Sequence, residues 1–282
     1  MYNYSLGLYE KAFPKEMPLR EKLEAAKRCG FDHMELCLDP EPLRACRIDW
    51  TARQVREVRN MAEDIGIPFT TFSLTLLRTC PLGLPEKKDN ERAFDILKKG
   101  ADFAAELGSR VMLINGYDVY DEPSTPATRA KFLENLPKVA EICSRAGVMT
   151  GIENAEKEFC YSVRQARELA DAADSPFIGV YADMGNSANS VNGDTEASMA
   201  DIRCGEGRIF SMHVKDTVPG EYRFTPYGEG HVNFDRAISL AKELKVRLFT
   251  AELFYRPEAG EPEAVAKWVN KFIRGYFDTD LP

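Results

Sequence analysis

The 282-residue sequence predicts an α/β fold, a single (β/α)8 TIM barrel that occupies residues 1–282. Eight short apolar runs alternate with amphipathic stretches, at about 35 residues per strand–helix unit, which is the rhythm of such a barrel. The runs are almost continuously apolar, as is typical of parallel strands that are buried on both faces. No stretch rich in Pro, Gly or Ser divides the chain, so one domain is expected.

The helical patterns between the runs have recognisable ends. Gly66 and Gly108 follow two apolar stripes, and Ser162 with Gln165 forms a capping box that opens another helix. Pro137 lies inside a helical pattern and is expected to kink it. An open doubly wound sheet uses the same strand–helix units, and periodicity does not distinguish it from the barrel. The predicted strands span residues 6–9, 33–38, 68–74, 110–115, 148–154, 178–183, 209–214 and 247–254.

The composition is that of an ordinary globular protein, with 44% hydrophobic and 29% charged residues. The net charge of −8 argues against a nucleic-acid partner, and it requires a local basic pocket for any anionic substrate. The cysteines are odd in number and form no C-x-x-C pair, which favours reduced thiols. The N-terminus does not resemble a signal peptide and no long apolar window occurs, so a cytoplasmic protein without a membrane partner is expected.

Polar residues end one predicted strand after another, at the end of a barrel where active sites lie. A single carboxylate at a strand end often caps a helix or forms a rim salt bridge. The last four of these residues, however, end four successive strands at separations of 30, 30 and 39 residues, which brings them around a common axis. In chain order the strand-end residues are Glu35, Asn115, Glu153, Asp183, His213 and Glu252.

Three carboxylates and one imidazole are suitable ligands for one divalent ion, such as Mn, Zn, Co or Mg. Without a metal, three converging carboxylates would repel each other and their pKa values would rise. Only three histidines exist: His33 starts a strand and is expected to be structural, and His231 lies in a loop, either solvated or near substrate. The sequence therefore predicts one metal site formed by Glu153, Asp183, His213 and Glu252.

This ligand set suggests a proton-transfer reaction. A metal that holds a ketone oxygen and the adjacent hydroxyl acidifies the C–H bond between them and stabilises the resulting enediolate. Two carboxylates on opposite faces of this planar intermediate can remove a proton from one side and return it on the other, which is an epimerisation. Glu153 and Glu252 come from different sides of the ring and fit this role. If only one base acts, the reaction is an aldose–ketose isomerisation.

At these residues the chain resembles the L-ribulose-5-phosphate (L-xylulose-5-phosphate) 3-epimerases of the xylose-isomerase-like barrels. It departs from the family pattern in two loops, because residues 76–80 (LLRTC) lack a histidine and the segment after Glu153 reads NAE. The resemblance is carried by residues 7–14 (GLYEKAFP), Arg78 with residues 81–83 (PLG), residues 116–120 (GYDVY), Ile152 with Glu153, residues 183–186 (DMGN), residues 213–217 (HVKDT), residues 226–230 (PYGEG) and Glu252.

The resemblance implies that one divalent metal is bound by the four residues named above. It also implies that Glu153 and Glu252 form the acid/base pair that inverts C3 of a ketopentose 5-phosphate, converting L-xylulose 5-phosphate to L-ribulose 5-phosphate through a cis-enediolate. No glycine-rich phosphate loop is present, so Lys11, Arg78 and Lys215 are the candidates for phosphate contact. If none contacts phosphate, a free ketose is the expected substrate. The predicted substrate-binding residues are Tyr9, Lys11, Glu35, Arg78, Asn115, Lys215 and Glu229.

Other functions share the same residues. An aldose–ketose isomerase, a free-ketose 3-epimerase or an inosose dehydratase could use the same metal site, and a non-catalytic sugar-binding barrel is the alternative outside enzymes. An abasic-site endonuclease is disfavoured, because that chemistry uses several metals and a basic groove. The expected partner is a small ketose phosphate. A homo-oligomer is possible, since the last helix, with Trp268, Phe272 and Tyr276, could cover the barrel or form a subunit contact.

Overall fold

The computed structural model describes residues 2–278, and its centre is a closed barrel of eight parallel strands. Each strand pairs with its neighbours in chain order, and the last strand pairs with the first. The predicted barrel is therefore confirmed, and the open doubly wound sheet is wrong. The strands are β1 Ser5–Tyr9, β2 His33–Cys37, β3 Thr71–Ser73, β4 Val111–Asn115, β5 Met149–Glu153, β6 Ile178–Asp183, β7 Ile209–Val214 and β8 Leu248–Ala251.

Helices connect the strands and form the outer layer. The glycines that follow the third and fourth helices, Gly66 and Gly108, adopt φ angles of 83° and 82°, where a residue without a Cβ is favoured. The capping box at Ser162 is present. Within residues 2–278 the α-helices are α1 Leu19–Arg28, α2 Pro42–Ala45, α3 Ala52–Ile65, α4 Lys87–Leu107, α5 Pro126–Ala146, α6 Val163–Ala172, α7 Met184–Ser190, α8 Thr195–Arg203, α9 Phe234–Glu243 and α10 Pro262–Asp278.

Two helices were singled out by the sequence. Helix α5 continues through Pro137 to Ala146 as one element. Helix α10 packs against the barrel with Val269, Ile273 and Phe277 buried, while Trp268 on its outer side remains 51% exposed. Across residues 2–278, no helix combines the length and the apolar character that a bilayer crossing requires.

The alternation of side chains along each strand separates two cores. Outward residues such as Leu6 and Phe72 join the large apolar core between the barrel and its helices. Inward residues are more polar: Glu35 and Thr250 belong to a buried, hydrogen-bonded layer inside the barrel. Below this layer the His33 ring is completely buried, and a Cβ on Gly7 would lie 2.2 Å from its Nε2 atom. The polar layer supports the residues at the strand ends above it.

Candidate active site

Four consecutive strand ends bring the predicted metal ligands together. The register places Asp183 beside His213 on the neighbouring strand, and Glu252 follows directly after β8. One ligand atom from each of Glu153, Asp183, His213 and Glu252 lies within 4.8 Å of every other one. The first three side chains are buried and Glu252 is partly exposed. The structure thus brings the four residues into one cluster at the C-terminal mouth of the barrel.

Glu35 determines which nitrogen of His213 faces the cluster. The Glu35 Oε1 atom lies 2.8 Å from His213 Nε2. The opposite nitrogen, Nδ1, lies 3.0 Å from Glu153 Oε1 and 3.7 Å from Asp183 Oδ2. Glu35 is itself held by the Tyr181 hydroxyl, which donates to Oε2 at 2.5 Å. Burial alone would lower the pKa of His213, but Glu35 and the other acidic groups around the ring raise it well above its usual value. Glu35 keeps a proton on Nε2, so Nδ1 is the nitrogen that can give up its proton to bind a cation.

This position differs from the predicted role of Glu35. Glu35 lies in the middle of β2 and not at its end, its side chain has no exposed area, and it is absent from the lining of the cavity above the cluster. The prediction that Glu35 ends its strand is therefore wrong, and its carboxylate contacts His213 instead of the cavity. The physical reason is the strand register, which points residue 35 inward one layer below His213.

Burial and mutual repulsion perturb the carboxylates. Burial raises the pKa of Glu153 to about 7. The neighbouring Glu252 and Asp183 carboxylates also raise this pKa, whereas His213 lowers it. Burial would also raise the pKa of Asp183, but the Lys215 ammonium group and His213 lower it to about 2. The Nζ atom of Lys215 lies 2.9 Å from Asp183 Oδ2 and 2.7 Å from Glu252 Oε2. The negative charge of the three carboxylates is thus compensated in part by Lys215.

The four side chains fit a divalent metal ion. Ligand atoms about 2.1 Å from one ion lie at most about 4.2 Å apart, which is close to the observed span of 4.8 Å. The buried Asp183 Oδ2 atom is contacted by Lys215 Nζ and faces His213 Nδ1 at 3.7 Å, and His213 Nδ1 also faces Glu153 Oε1 at 3.0 Å. Three oxygen donors and one imidazole nitrogen suit Mn, Zn, Co or Mg.

Removing the Glu35 carboxylate is expected to weaken metal binding. In Glu35→Gln the amide is a poorer acceptor for the His213 N–H group, so metal affinity should fall by about 10- to 100-fold. Competition with a colorimetric chelator measures this affinity. Tyr181→Phe, which removes only the hydroxyl donor to Glu35, should cause a smaller loss. Unchanged affinity in a folded Glu35→Gln protein would refute the orienting role.

Two adjoining cavities open above the cluster. The inner one, about 40 Å³, is lined by Glu153, His213 and Glu252, and the outer one, about 890 Å³, lies between the loops after β7 and β8. Lys215 and Glu252 line both cavities and lie at the border between them. Glu229 lines only the outer cavity. The other predicted substrate-binding residues that line the inner cavity are Tyr9, Lys11, Arg78, Asn115 and Lys215.

Several of these residues already have partners. The Asn115 amide donates to Glu153 Oε2 at 2.5 Å and so orients that carboxylate. Lys11 Nζ lies 2.7 Å from Asp39 Oδ2, and Arg44 contacts the same carboxylate with two nitrogens at 2.9 and 3.1 Å. Lys11 therefore belongs to a charged group on the cavity wall.

The Asp39 group predicts a loss of stability in acid. Burial alone would raise the pKa of Asp39, but Arg44 and Lys11 lower it to about 2 from 3.8. The ionised form therefore stabilises the fold above pH 4, by about 2 kcal/mol, and this contribution is lost as the pH falls from about 4 to about 2. Urea unfolding should give a higher free energy of unfolding for the native protein than for Asp39→Asn at pH 7, and this difference should become smaller at pH 3. Asp121→Asn, at an exposed position, serves as control. A difference in unfolding free energy that does not change with pH would contradict the stabilising role of ionised Asp39.

The sequence did not reveal a second polar group at the inner cavity. Tyr117 donates to Glu156 Oε2 at 2.5 Å, and Arg223 Nη2 donates to Glu156 Oε1 at 2.9 Å. All three residues line the inner cavity. Tyr117 lies in the GYDVY string and Arg223 in the long loop after β7, but no spacing rule links them to Glu156.

Asp216 shapes the loop that follows β7. Its carboxylate, only 2% exposed, accepts four backbone N–H groups at 2.9–3.1 Å, from Thr217, Gly228, Gly230 and Val232. A Cβ on Gly230 would lie 2.2 Å from Asp216 Oδ1, so this position requires glycine. His231, one of the three histidines, bonds the Thr217 hydroxyl at 2.8 Å and lies outside both cavities.

Comparison with known proteins identifies the class of this barrel and its candidate metal centre. The family model described as "Xylose isomerase-like TIM barrel" matches residues 23–276. The L-ribulose-5-phosphate 3-epimerase UlaE of Escherichia coli strain SMS-3-5 is 33% identical over 84% of this chain and 82% of its own. The same enzyme from Salmonella paratyphi A is 32% identical over the same shares. The chain therefore belongs to the L-ribulose-5-phosphate 3-epimerase family of xylose isomerase-like TIM barrels, which confirms the predicted family.

Solved structures show the same fold. A D-psicose 3-epimerase with D-tagatose from Clostridium cellulolyticum H10 superposes with a TM-score of 0.80, at 15% identity, over 98% of this chain and 100% of its own. An L-ribulose 3-epimerase gives a TM-score of 0.77 at 18% identity, over 97% and 94%. At these identities the likeness concerns the fold. Family membership confirms the prediction of an enzyme of the isomerase class, against the non-catalytic sugar-binding barrel.

Proposed function

We propose that this protein is a metal-dependent 3-epimerase that interconverts L-xylulose 5-phosphate and L-ribulose 5-phosphate. The observation that carries the proposal is the cluster of Glu153 and Glu252 with His213 and Asp183 around one point at the barrel mouth. The two glutamates come from β5 and the end of β8, with two strands between them. The relatives named L-ribulose-5-phosphate 3-epimerase support the choice of substrate.

Asp183 and His213 serve only to hold the metal in this proposal. Both side chains are buried and each is held by a neighbour: the Asn186 backbone N–H group donates to Asp183 Oδ1 at 2.8 Å, and Glu35 contacts His213 Nε2. A divalent ion bound here supplies Lewis-acid stabilisation of the negative charge that develops on the substrate oxygens. Rigid side chains keep the donor atoms in place when substrate enters.

Glu153 and Glu252 move the proton. Each lines the inner cavity, where the proposal places C3 of the substrate. One glutamate removes the C3 proton, and the other returns a proton to the opposite face of the planar intermediate, which inverts the carbon. The hydrogen bond from Asn115 holds Glu153, and the Lys215 ammonium group holds Glu252. Both bases are thus positioned by a neighbour on the cavity wall.

Proton nuclear magnetic resonance of the reaction in D₂O tests the proposal. With L-xylulose 5-phosphate, we expect L-ribulose 5-phosphate as product and deuterium at C3 of both sugars. Deuterium at C1 together with an aldose product would instead indicate an aldose–ketose isomerase. No exchange by the metal-loaded protein would overturn the proposed function, and turnover of L-xylulose but not of its phosphate would overturn the substrate.

A further inference from the structure

A third cavity lies at the end of the barrel away from the metal cluster. Its volume is about 640 Å³, and its lining residues stand at the starts of four strands, β1, β3, β4 and β8, or shortly before them. Active sites of such barrels lie at the C-terminal ends of the strands, which is the opposite end. The third cavity is therefore separate from the proposed epimerisation site.

The lining of the third cavity is basic. Its charged residues are Arg110 and Arg247, and no Asp or Glu of residues 2–278 belongs to it. Neither guanidinium group has a carboxylate within salt-bridge distance in that part of the chain. Both cavities at the barrel mouth, by contrast, contain carboxylates among their cations. Because two unpaired positive charges repel each other, and because the net charge of the protein is −8, these arginines create a local site that favours an anion.

Both guanidinium groups keep hydrogen-bond donors available for a ligand. Arg247 Nη1 donates to the Asn3 carbonyl oxygen at 2.8 Å, and its guanidinium carbon lies 4.4 Å from the centre of the Tyr2 ring. These contacts hold the side chain, yet a guanidinium group carries more N–H donors than the single hydrogen bond uses. The Arg110 guanidinium group makes no hydrogen bond to any of residues 2–278. A ligand would therefore find one arginine already placed and a second one free to close on it.

The two arginines precede strands on opposite sides of the ring. Arg110 stands directly before β4 and Arg247 directly before β8, and these strands are four positions apart in the closed barrel. A compact dianion matches the two positive charges, and a guanidinium group binds phosphate oxygens with two parallel hydrogen bonds. The hydroxyl-bearing Ser5 and Thr70 belong to the same lining and supply further polar groups. The volume exceeds that of a phosphate ion, which leaves room for the organic part of a phosphate monoester.

We propose that the third cavity is an anion-binding site at the N-terminal end of the barrel, which holds the phosphate group of inorganic phosphate or of a small phosphate monoester between Arg110 and Arg247. The site is independent of the proposed function, because it shares no residue with the cavities at the barrel mouth. An anion bound here joins the starts of β4 and β8, which do not pair with each other. Because it binds the folded barrel, it stabilises the fold.

Nuclear magnetic resonance of the arginine Nε–H groups tests the site during titration with inorganic phosphate and, separately, with glycerol 3-phosphate. Arg110→Lys and Arg247→Lys assign the two signals. We expect both signals to shift and to saturate, with a Kd on the order of 1 mM for at least one of the two ligands. Sodium chloride at the same ionic strength should not reproduce the shifts, because it screens charge without filling the site. The signal of Arg53, which is exposed and paired with Glu57, serves as control.

The decisive result is the dependence of one arginine on the other. Arg110→Ala should weaken the response of the Arg247 signal by about tenfold or more, and Arg247→Ala should do the same to Arg110, because one anion requires both. A thermal midpoint near that of the native protein shows that a variant is folded, and Arg110→Gln replaces an alanine variant that is not. Tighter binding of one ligand shows whether free phosphate or a monoester is preferred. Signals that do not saturate with either ligand, or an Arg247 response that is unchanged in Arg110→Ala, would overturn the proposal.

Discussion

Glutamine in place of Glu153 or Glu252 is expected to lower kcat for epimerisation of L-xylulose 5-phosphate by about 10²- to 10⁴-fold, the usual contribution of a general acid or base. The two variants should nevertheless differ from each other. Each variant keeps one of the two carboxylates, and that carboxylate faces the C3 proton of only one epimer. Each variant should therefore exchange deuterium into only one of the two sugars. Proton resonance in D₂O, started separately from each epimer, measures this reciprocal pattern.

Both glutamates are also candidate metal ligands, so metal content has to be measured beside the kinetics. The metal-to-protein ratio of each variant, from inductively coupled plasma spectrometry, separates loss of a base from loss of the ion. Glu134→Gln, on the exposed side of α5, provides a control with the same chemical change. Exchange of both epimers by either metal-loaded variant would refute the two-base mechanism.

Removal of the metal is expected to lower kcat by a factor on the order of 10³ or more, because a bound ion supplies several kcal/mol of charge stabilisation. The metal-free protein, prepared by dialysis against a chelator, should regain activity with one equivalent of Mn, Zn, Co or Mg, and the ranking of these ions shows which of them supports catalysis best. Metal binding should also raise the thermal midpoint, because the ion binds the folded state.

Asp183→Asn gives an independent control for the metal experiment. Asp183 has no proton-transfer role in the proposal, so its loss should weaken metal affinity, and activity should return at high metal concentration. Full activity of the native protein at a metal-to-protein ratio near zero would show that the cluster works without an ion. Such a result would leave Lys215 as the main source of positive charge at Asp183 and Glu252.

The barrel and the metal cluster were predictable because both follow from local patterns in the sequence. Apolar runs mark the strands, and a polar residue after such a run marks the strand end, as at Glu153, Asp183 and Glu252. Barrel closure then brings these ends together without any further information. The predicted strand 68–74 was longer than β3, Thr71–Ser73, since apolar loop residues on either side extend the pattern.

The rest of the site depends on distances that a linear pattern does not contain. Glu35 is followed by Leu36 and Cys37, so whether it ends the strand or points into the barrel depends on register. Likewise, Arg223 meets Glu156 across 67 residues, and Lys11 meets Asp39 across 28. Which cations are neutralised, and which remain available to a ligand, is therefore settled only by tertiary structure.

The carboxylate of Asp216 joins two points of the chain that are far apart along the loop after β7. Residue 217 and residues 228–232 are fixed to it, while residues 218–227 form a loop whose ends are already closed. Changes of length between these fixed points cost little closure entropy, because both ends of the loop are held. Arg223, which pairs with Glu156, and Tyr227, which donates to the Val214 carbonyl oxygen, are the exceptions and have to be kept. Such changes leave Lys215 and the strand ends where they are. The loop that lines the outer cavity can therefore be changed, by evolution or by design, to accept other sugars, while the residues that move the proton stay in place.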